Sequence, residues 1–197
     1  MFNKMKKLLS VGAVVASAAV LLTGCGGGQQ ASSSSSSAAQ EISGKISASG
    51  STALLPLLKP AQEVFQDKYD KVTVNIAGGG SFTGMNQVAE GSVQIGNSDV
   101  NLPDEYKDKG LVDHKVVVEP FVFIVDKNNK VDNITKQQAI DILTGKITNW
   151  KEVGGDDQPI TLIHRAKSSG SRATISDVVL KGAAFTDNAV IQDSNGA

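Results

Sequence analysis

The amino-acid sequence predicts an α/β protein built on a mostly parallel sheet, and three observations carry that expectation. Segments rich in β-branched residues alternate with helix-patterned segments from residue 45 to residue 96 and again beyond residue 135, the order that strand–helix–strand units produce. No repeat of solenoid length interrupts it. Three strand-to-helix junctions are made of serine, threonine and glycine, residues that start helices and leave backbone N–H groups facing outward.

Ahead of this part stand Lys4, Lys6 and Lys7 and an apolar run from Leu8 to Leu22, too short and wrongly flanked for a stable membrane span. Residues 1–24 read as a secretory signal. Leu22-Thr23-Gly24-Cys25 has the small-residue pattern of a lipoprotein cleavage site, and Cys25 is the only cysteine of the chain. A lone cysteine makes neither an intrachain disulfide nor a cysteine-rich zinc site, whereas two acyl chains on Cys25 would anchor the protein stably to a membrane. Residues 25–43 follow as a flexible linker, with Gly26 to Gly28 and the serine run Ser32 to Ser37 having nothing to bury. A flexible chain from Cys25 to Glu41 would hold the folded part roughly 20–24 Å from the lipid on average.

Charge narrows the partners. The formal net charge is −1, and loss of residues 1–24 with their three lysines takes it to −1 − 3 = −4. Nucleic-acid binding rests on a basic surface that releases counterions, so a nucleic-acid partner is not expected. Any anion must be held by local groups.

The elements follow in order. Lys45–Ala48 is expected as a strand, Leu54–Tyr69 as a helix with Pro56 in its first turn, where the missing N–H costs nothing, and Asp70-Lys71 as its end. Lys71–Ile76 is the next strand, Gly84–Glu90 the next helix and Val93–Gly96 a short strand. His114–Val125 reads as an extended stretch interrupted at Glu119-Pro120, with a crossover between two lobes near it, so that residues 44–118 form lobe one and residues 119–197 form lobe two. Thr135–Thr144 is a helix with Thr135 as N-cap, Gln138 completing a capping box and Gly145 as its stop. Pro159–His164 is then a strand and Ser171–Leu180 a helix.

The chemistry gathers at the three junctions: Ser49-Gly50-Ser51-Thr52, Gly78 to Gly84 with Ser81 and Thr83 inside it, and Ser168-Ser169-Gly170-Ser171. Each helix start offers unpaired N–H groups and the positive end of a dipole, and each hydroxyl adds a donor. Singly these are ordinary caps; together they suit a tetrahedral oxyanion. Asp99 and Arg165 each follow a short strand, at the sheet end where ligands of such folds bind. Arginine is the bidentate partner of such an anion. An aspartate makes sense only if the ligand carries a proton that the carboxylate can accept, as phosphate does at neutral pH and sulfate does not. Unit-charge repulsion at 4 Å is worth about 4 kcal/mol at an effective dielectric near 20, on the order of a thousandfold in binding.

Ser47–Thr52, the glycine loop with Ser81, Gly96–Asp99, the run from Asn133 through Trp150, and Arg165–Arg172 resemble in order and spacing the substrate-binding lipoproteins of phosphate ABC transporters. The resemblance covers residues 44–197. It implies a two-lobe, type II periplasmic-binding-protein-like fold closing over one dehydrated phosphate, and a chain that is C-terminally incomplete. It further implies that Thr52 (hydroxyl), Ala53 (backbone N–H), Ser81 and Asp99 bind phosphate from lobe one, and Arg165, Ser169, Gly170 (N–H) and Ser171 from lobe two. Permease and ATPase subunits would be the partners, the extracytoplasmic face of the cell membrane the location, and no cofactor or metal is required. Three positions depart from the family's pattern: Ala53 replaces a frequent aromatic residue, Ser171 a frequent threonine, and Lys167 stands where some relatives carry an acid.

Other classes fit less well. A surface sensor or adhesin on the same lobes is the alternative. A serine hydrolase lacks support, because no Gly-x-Ser-x-Gly elbow occurs and neither His114 nor His164 sits in a recognisable signature. His114 reads as a strand residue, His164 as one that could line the cleft, and Trp150 as a packing residue.

Overall fold

The computed structural model describes residues 41–197; the signal segment, Cys25 and most of the expected linker lie outside the described residues. Residues 41–197 belong to one compact unit. β1 (Gly44–Gly50) leads to α1 (Leu55–Lys68), β2 (Val72–Ala77), α2 (Ser81–Ala89) and β3 (Ile95–Asn97). These strands make a parallel sheet of order β2-β1-β3, with Ile46 beside Val74 and Ser49 beside both Ala77 and Gly96. The expected alternation is therefore present as βαβαβ. Its strands converge at their C-terminal ends on the first two serine- and glycine-rich junctions.

Burial explains the register. Val72, Val74 and Ile76 are covered to differing degrees while Thr73, Asn75 and Ala77 are exposed, the period of two that a half-buried strand requires. Ala48, Leu54, Val72 and Met85 form the apolar centre of this half with Tyr106, whose hydroxyl donates to Asn86 Oδ1 at 2.7 Å from a 3₁₀ turn at Asp104–Lys109. α1 covers the sheet edge in an unusual manner, since none of its residues is fully buried. Instead Lys59 Nζ donates to Ile76 O (2.9 Å), Gln62 Nε2 donates to Val74 O (2.7 Å), and Gln66 Oε1 accepts the Val74 N–H (2.6 Å). Three side chains one helical turn apart thus satisfy the backbone of β2 outside its ladder with β1, a way of blunting an edge strand.

α2 begins three residues earlier than expected, at Ser81 rather than Gly84. Gly80, with φ 94° and ψ 157°, turns the chain so sharply that helix geometry starts at the next residue. His114–Val125 differs more. It enters no ladder, and Val116, Val118, Val122 and Ile124 are exposed, because no described strand lies alongside to pair with it.

The second half contains α3 (Lys136–Leu143), a 3₁₀ turn at Trp150–Val153, β4 (Ile163–Arg165), α4 (Gly170–Ile175) running into a π-helical turn at Ser176–Leu180, and β5 (Val190–Gln192). α3 starts as its sequence predicts: Thr135 Oγ1 accepts the Gln138 N–H at 3.2 Å while Gln138 Oε1 accepts the Thr135 N–H at 2.8 Å. Ala139, Ile142, Leu143, Val153 and Leu180 form its core. The strand expected at Pro159–His164 is displaced to Ile163–Arg165, since only the three residues of β5 are available to pair in parallel with it. Pro159 makes an isolated bridge to Asn149 instead. The helix expected at Ser171–Leu180 is present, with its second part widened into the π turn.

Candidate oxyanion-binding site

The three serine- and glycine-rich junctions meet. Ser81, the first residue of α2, is fully buried, and its Oγ donates to Asp99 Oδ1 at 2.7 Å while accepting the Asp99 N–H at 3.1 Å. Ser171, in the first turn of α4, donates its hydroxyl to Asp99 Oδ2 at 2.9 Å. Both oxygens of one carboxylate are thereby held by hydroxyls from different halves of the chain. Gly170 is packed so closely here that a Cβ would lie 3.0 Å from Ser81 Cβ and 3.1 Å from Asp99 Cγ. Ser169 caps α4 by accepting the Arg172 N–H at 3.3 Å, which leaves its own hydroxyl hydrogen to donate.

The two helix starts also touch through their backbones. The Phe82 N–H of α2 donates to Ser168 O at 3.1 Å. Only glycine serves at position 80, because a Cβ there would run into the Ser168 carbonyl, 2.7 Å from its carbon.

Arg165 closes the cluster from the end of β4. Its Nε donates to Gln192 O at 3.0 Å, and its Nη2 donates to Asp193 O at 2.8 Å and to Thr52 Oγ1 at 3.0 Å. Burial pulls the guanidinium pKa down, while the negative charges of Asp99 and Asp193 push it up. Thr52 Oγ1 also accepts the Asn195 N–H at 3.1 Å and donates to Asn195 Oδ1 at 3.2 Å. Ala53 behaves differently from expectation: its N–H is taken at 3.1 Å by Ser51 Oγ, which also accepts the Leu54 N–H at 3.2 Å. Ser51, almost wholly buried, thus ties the turn just ahead of α1, and a ligand would have to displace that bond to use the Ala53 donor.

All eight residues expected at the site therefore lie at the meeting of the three junctions. Sequence reading missed Gln192, Asp193 and Asn195, which reach Arg165 and Thr52 from β5 and the segment after it. It also missed Glu119. This side chain lines a cavity of about 520 Å³ together with Thr52, Ala53, Lys59 and Asn195, and its Oε1 is enclosed without a hydrogen-bond partner. Burial first, and the charge of Asp99 second, raise the Glu119 carboxyl above the usual range. No local motif marks any of these four residues.

Chemically, the cluster offers several hydroxyls, a guanidinium and one carboxylate that can accept a proton. His164 belongs elsewhere. Its Nδ1 faces Arg172 Nη1 at 2.7 Å, and its ring lies 5.0 Å from that of Phe185, so it pairs with no serine. His114 is exposed. No described helix is long and apolar enough to cross a membrane.

Comparison with known proteins places the chain among binding proteins of transport systems. The chain is 42% identical over 158 residues to the phosphate-binding protein PstS of Bacillus subtilis strain 168, a match covering 79% of this chain and 53% of the relative. It is 30% identical over 158 residues to the phosphate-binding protein PstS of Borreliella burgdorferi, covering 77% and 57%. The chain thus spans little more than half the length of these curated relatives. Among solved structures, a phosphate ABC transporter substrate-binding protein with bound phosphate from Clostridium perfringens superposes with a TM-score of 0.74 at 37% identity, covering 78% of this chain and 63% of that one. An ABC-type phosphate transport receptor from Vibrio cholerae gives a TM-score of 0.55 at 26% identity, covering 77% and 64%. These names are those of binding and transport proteins rather than enzymes. From residue 34 to residue 195 the sequence matches a PBP superfamily domain, and the chain belongs to that superfamily.

Proposed function

We propose that this chain captures inorganic phosphate outside the cytoplasm and delivers it to the permease and ATPase subunits of an ABC importer. The observation that carries the reading is Asp99, a carboxylate held between Ser81 and Ser171 beside Arg165 and Thr52. An anion site containing a carboxylate favours a ligand with a proton to share, and the names of the relatives point the same way. In this reading the hydroxyls of Thr52, Ser81, Ser169 and Ser171, the N–H groups of Ala53 and Gly170 and the guanidinium of Arg165 turn to the phosphate oxygens. Asp99 accepts the ligand's proton. Residues 44–118 and 119–197 act as the two lobes that bring these groups together.

The same reading places the protein on the membrane through lipid on Cys25, with residues 26–43 as the tether. Titration of the purified protein with phosphate, sulfate and arsenate tests the binding reading. Phosphate and arsenate should bind, and a large excess of sulfate should not compete. Sulfate competing at equal concentration would remove Asp99 from the role given to it.

A further inference from the structure

Glu119 is an acidic side chain at this cleft that the binding scheme leaves unused. It lies on the unpaired stretch before Pro120 and shares the wall of the 520 Å³ cavity with Thr52 and Ala53, two of the proposed ligand-contacting residues. One of its oxygens is enclosed with no donor among the described residues to meet it. An enclosed carboxylate oxygen without a donor is costly when charged and far less so when the group holds a proton. The charged groups around it are few. Asp99, after β3, lies near enough to raise its proton affinity. Lys59, from α1, lines the same cavity, but its ammonium is hydrogen-bonded to Ile76 O rather than to Glu119. Arg165, from β4, is directed to Thr52, Gln192 and Asp193. Among the described residues, therefore, no hydrogen-bonded cation offsets an ionised Glu119.

We propose that Glu119 is a charge-selecting residue of this site: neutral, it admits an oxyanion between Thr52 and Asp99, and ionised, it repels one. The proposal rests on the phosphate-binding reading and adds to it a second carboxyl, which acts by its charge rather than by accepting the ligand's proton. Asp99 reads whether the ligand carries a hydrogen. Glu119 reads how much negative charge the cleft already holds.

The test is the phosphate dissociation constant of the wild-type protein and of Glu119→Gln, measured from about pH 4 to about pH 9, across and above the ordinary glutamate range. Because the ionisation of phosphate is common to both proteins, it cancels in the ratio of the two constants. A neutral glutamic acid and a glutamine are close isosteres, so the ratio should be near one at the acid end. It should grow in favour of Glu119→Gln, on the order of tenfold, once the carboxyl ionises. Glu119→Ala should show the same loss of the pH step, which guards against a fault peculiar to the glutamine. A ratio constant over the whole range, with both proteins binding phosphate, overturns the role of Glu119 and leaves the phosphate reading standing. Absence of phosphate binding in all three proteins at every pH overturns both.

Discussion

Ser81 and Asp99 hold each other twice, the serine hydroxyl donating to Oδ1 at 2.7 Å and accepting the aspartate N–H at 3.1 Å. The pair joins the start of α2 to the end of β3, and Ser81 is fully buried. Ser81→Ala would leave the half-buried Asp99 N–H without its acceptor and a carboxylate oxygen without its donor. The expected cost is about 1–3 kcal/mol of folding stability, read from urea unfolding, together with weaker phosphate binding. Stability within error of the wild type would mean that water replaces both bonds.

Asp99 is expected to set selectivity more than affinity. In Asp99→Asn the repulsion of a fully ionised dianion disappears, so sulfate should gain on phosphate by at least about tenfold. Competition titrations with the two anions provide the measurement. An unchanged preference would assign discrimination to another group.

Arg165 makes three hydrogen bonds to Thr52, Gln192 and Asp193 and balances the charge of Asp99. Arg165→Ala should weaken phosphate binding by about 1.5–3 kcal/mol, the range for a hydrogen bond to a charged group. Arg165→Lys should recover only part of that loss, because an ammonium cannot reproduce the planar fork. Calorimetric titration of both variants separates charge from geometry; equal affinity in lysine and arginine forms would leave charge alone as the contribution.

Gly80 keeps the two halves in register. An alanine there would hold a glycine-only backbone conformation and press its methyl group into the Ser168 carbonyl. Gly80→Ala should cost about 2 kcal/mol or more in stability and lengthen the Phe82 N–H to Ser168 O contact, visible as faster amide exchange at Phe82. Wild-type exchange at that amide would show the junction to be tolerant.

By itself the sequence determined what depends on neighbours a few residues apart. The capping box of Thr135 and Gln138 closes within one turn, so the start of α3 was legible to the residue. Strand and helix periodicity likewise placed β1, α1 and β2 and the parallel character of the sheet, because alternation of burial is written into consecutive side chains. The residue types at the three junctions, with Asp99 and Arg165, sufficed to nominate an anion site. Tertiary structure alone decided what those groups touch. Asn195 reaches Thr52 from 143 residues away, Glu119 comes to lie near Asp99 along a stretch with no regular pairing, and Gln192 and Asp193 meet Arg165 across the β4–β5 pair. The start of α2 moved to Ser81 for the same kind of reason, since the backbone of Gly80 is shaped against Ser168 in the other half. Hydrogen-bond partners and the cost of burying a charge are set by whatever packing brings within about 3 Å, and no pattern of consecutive residues encodes that distance.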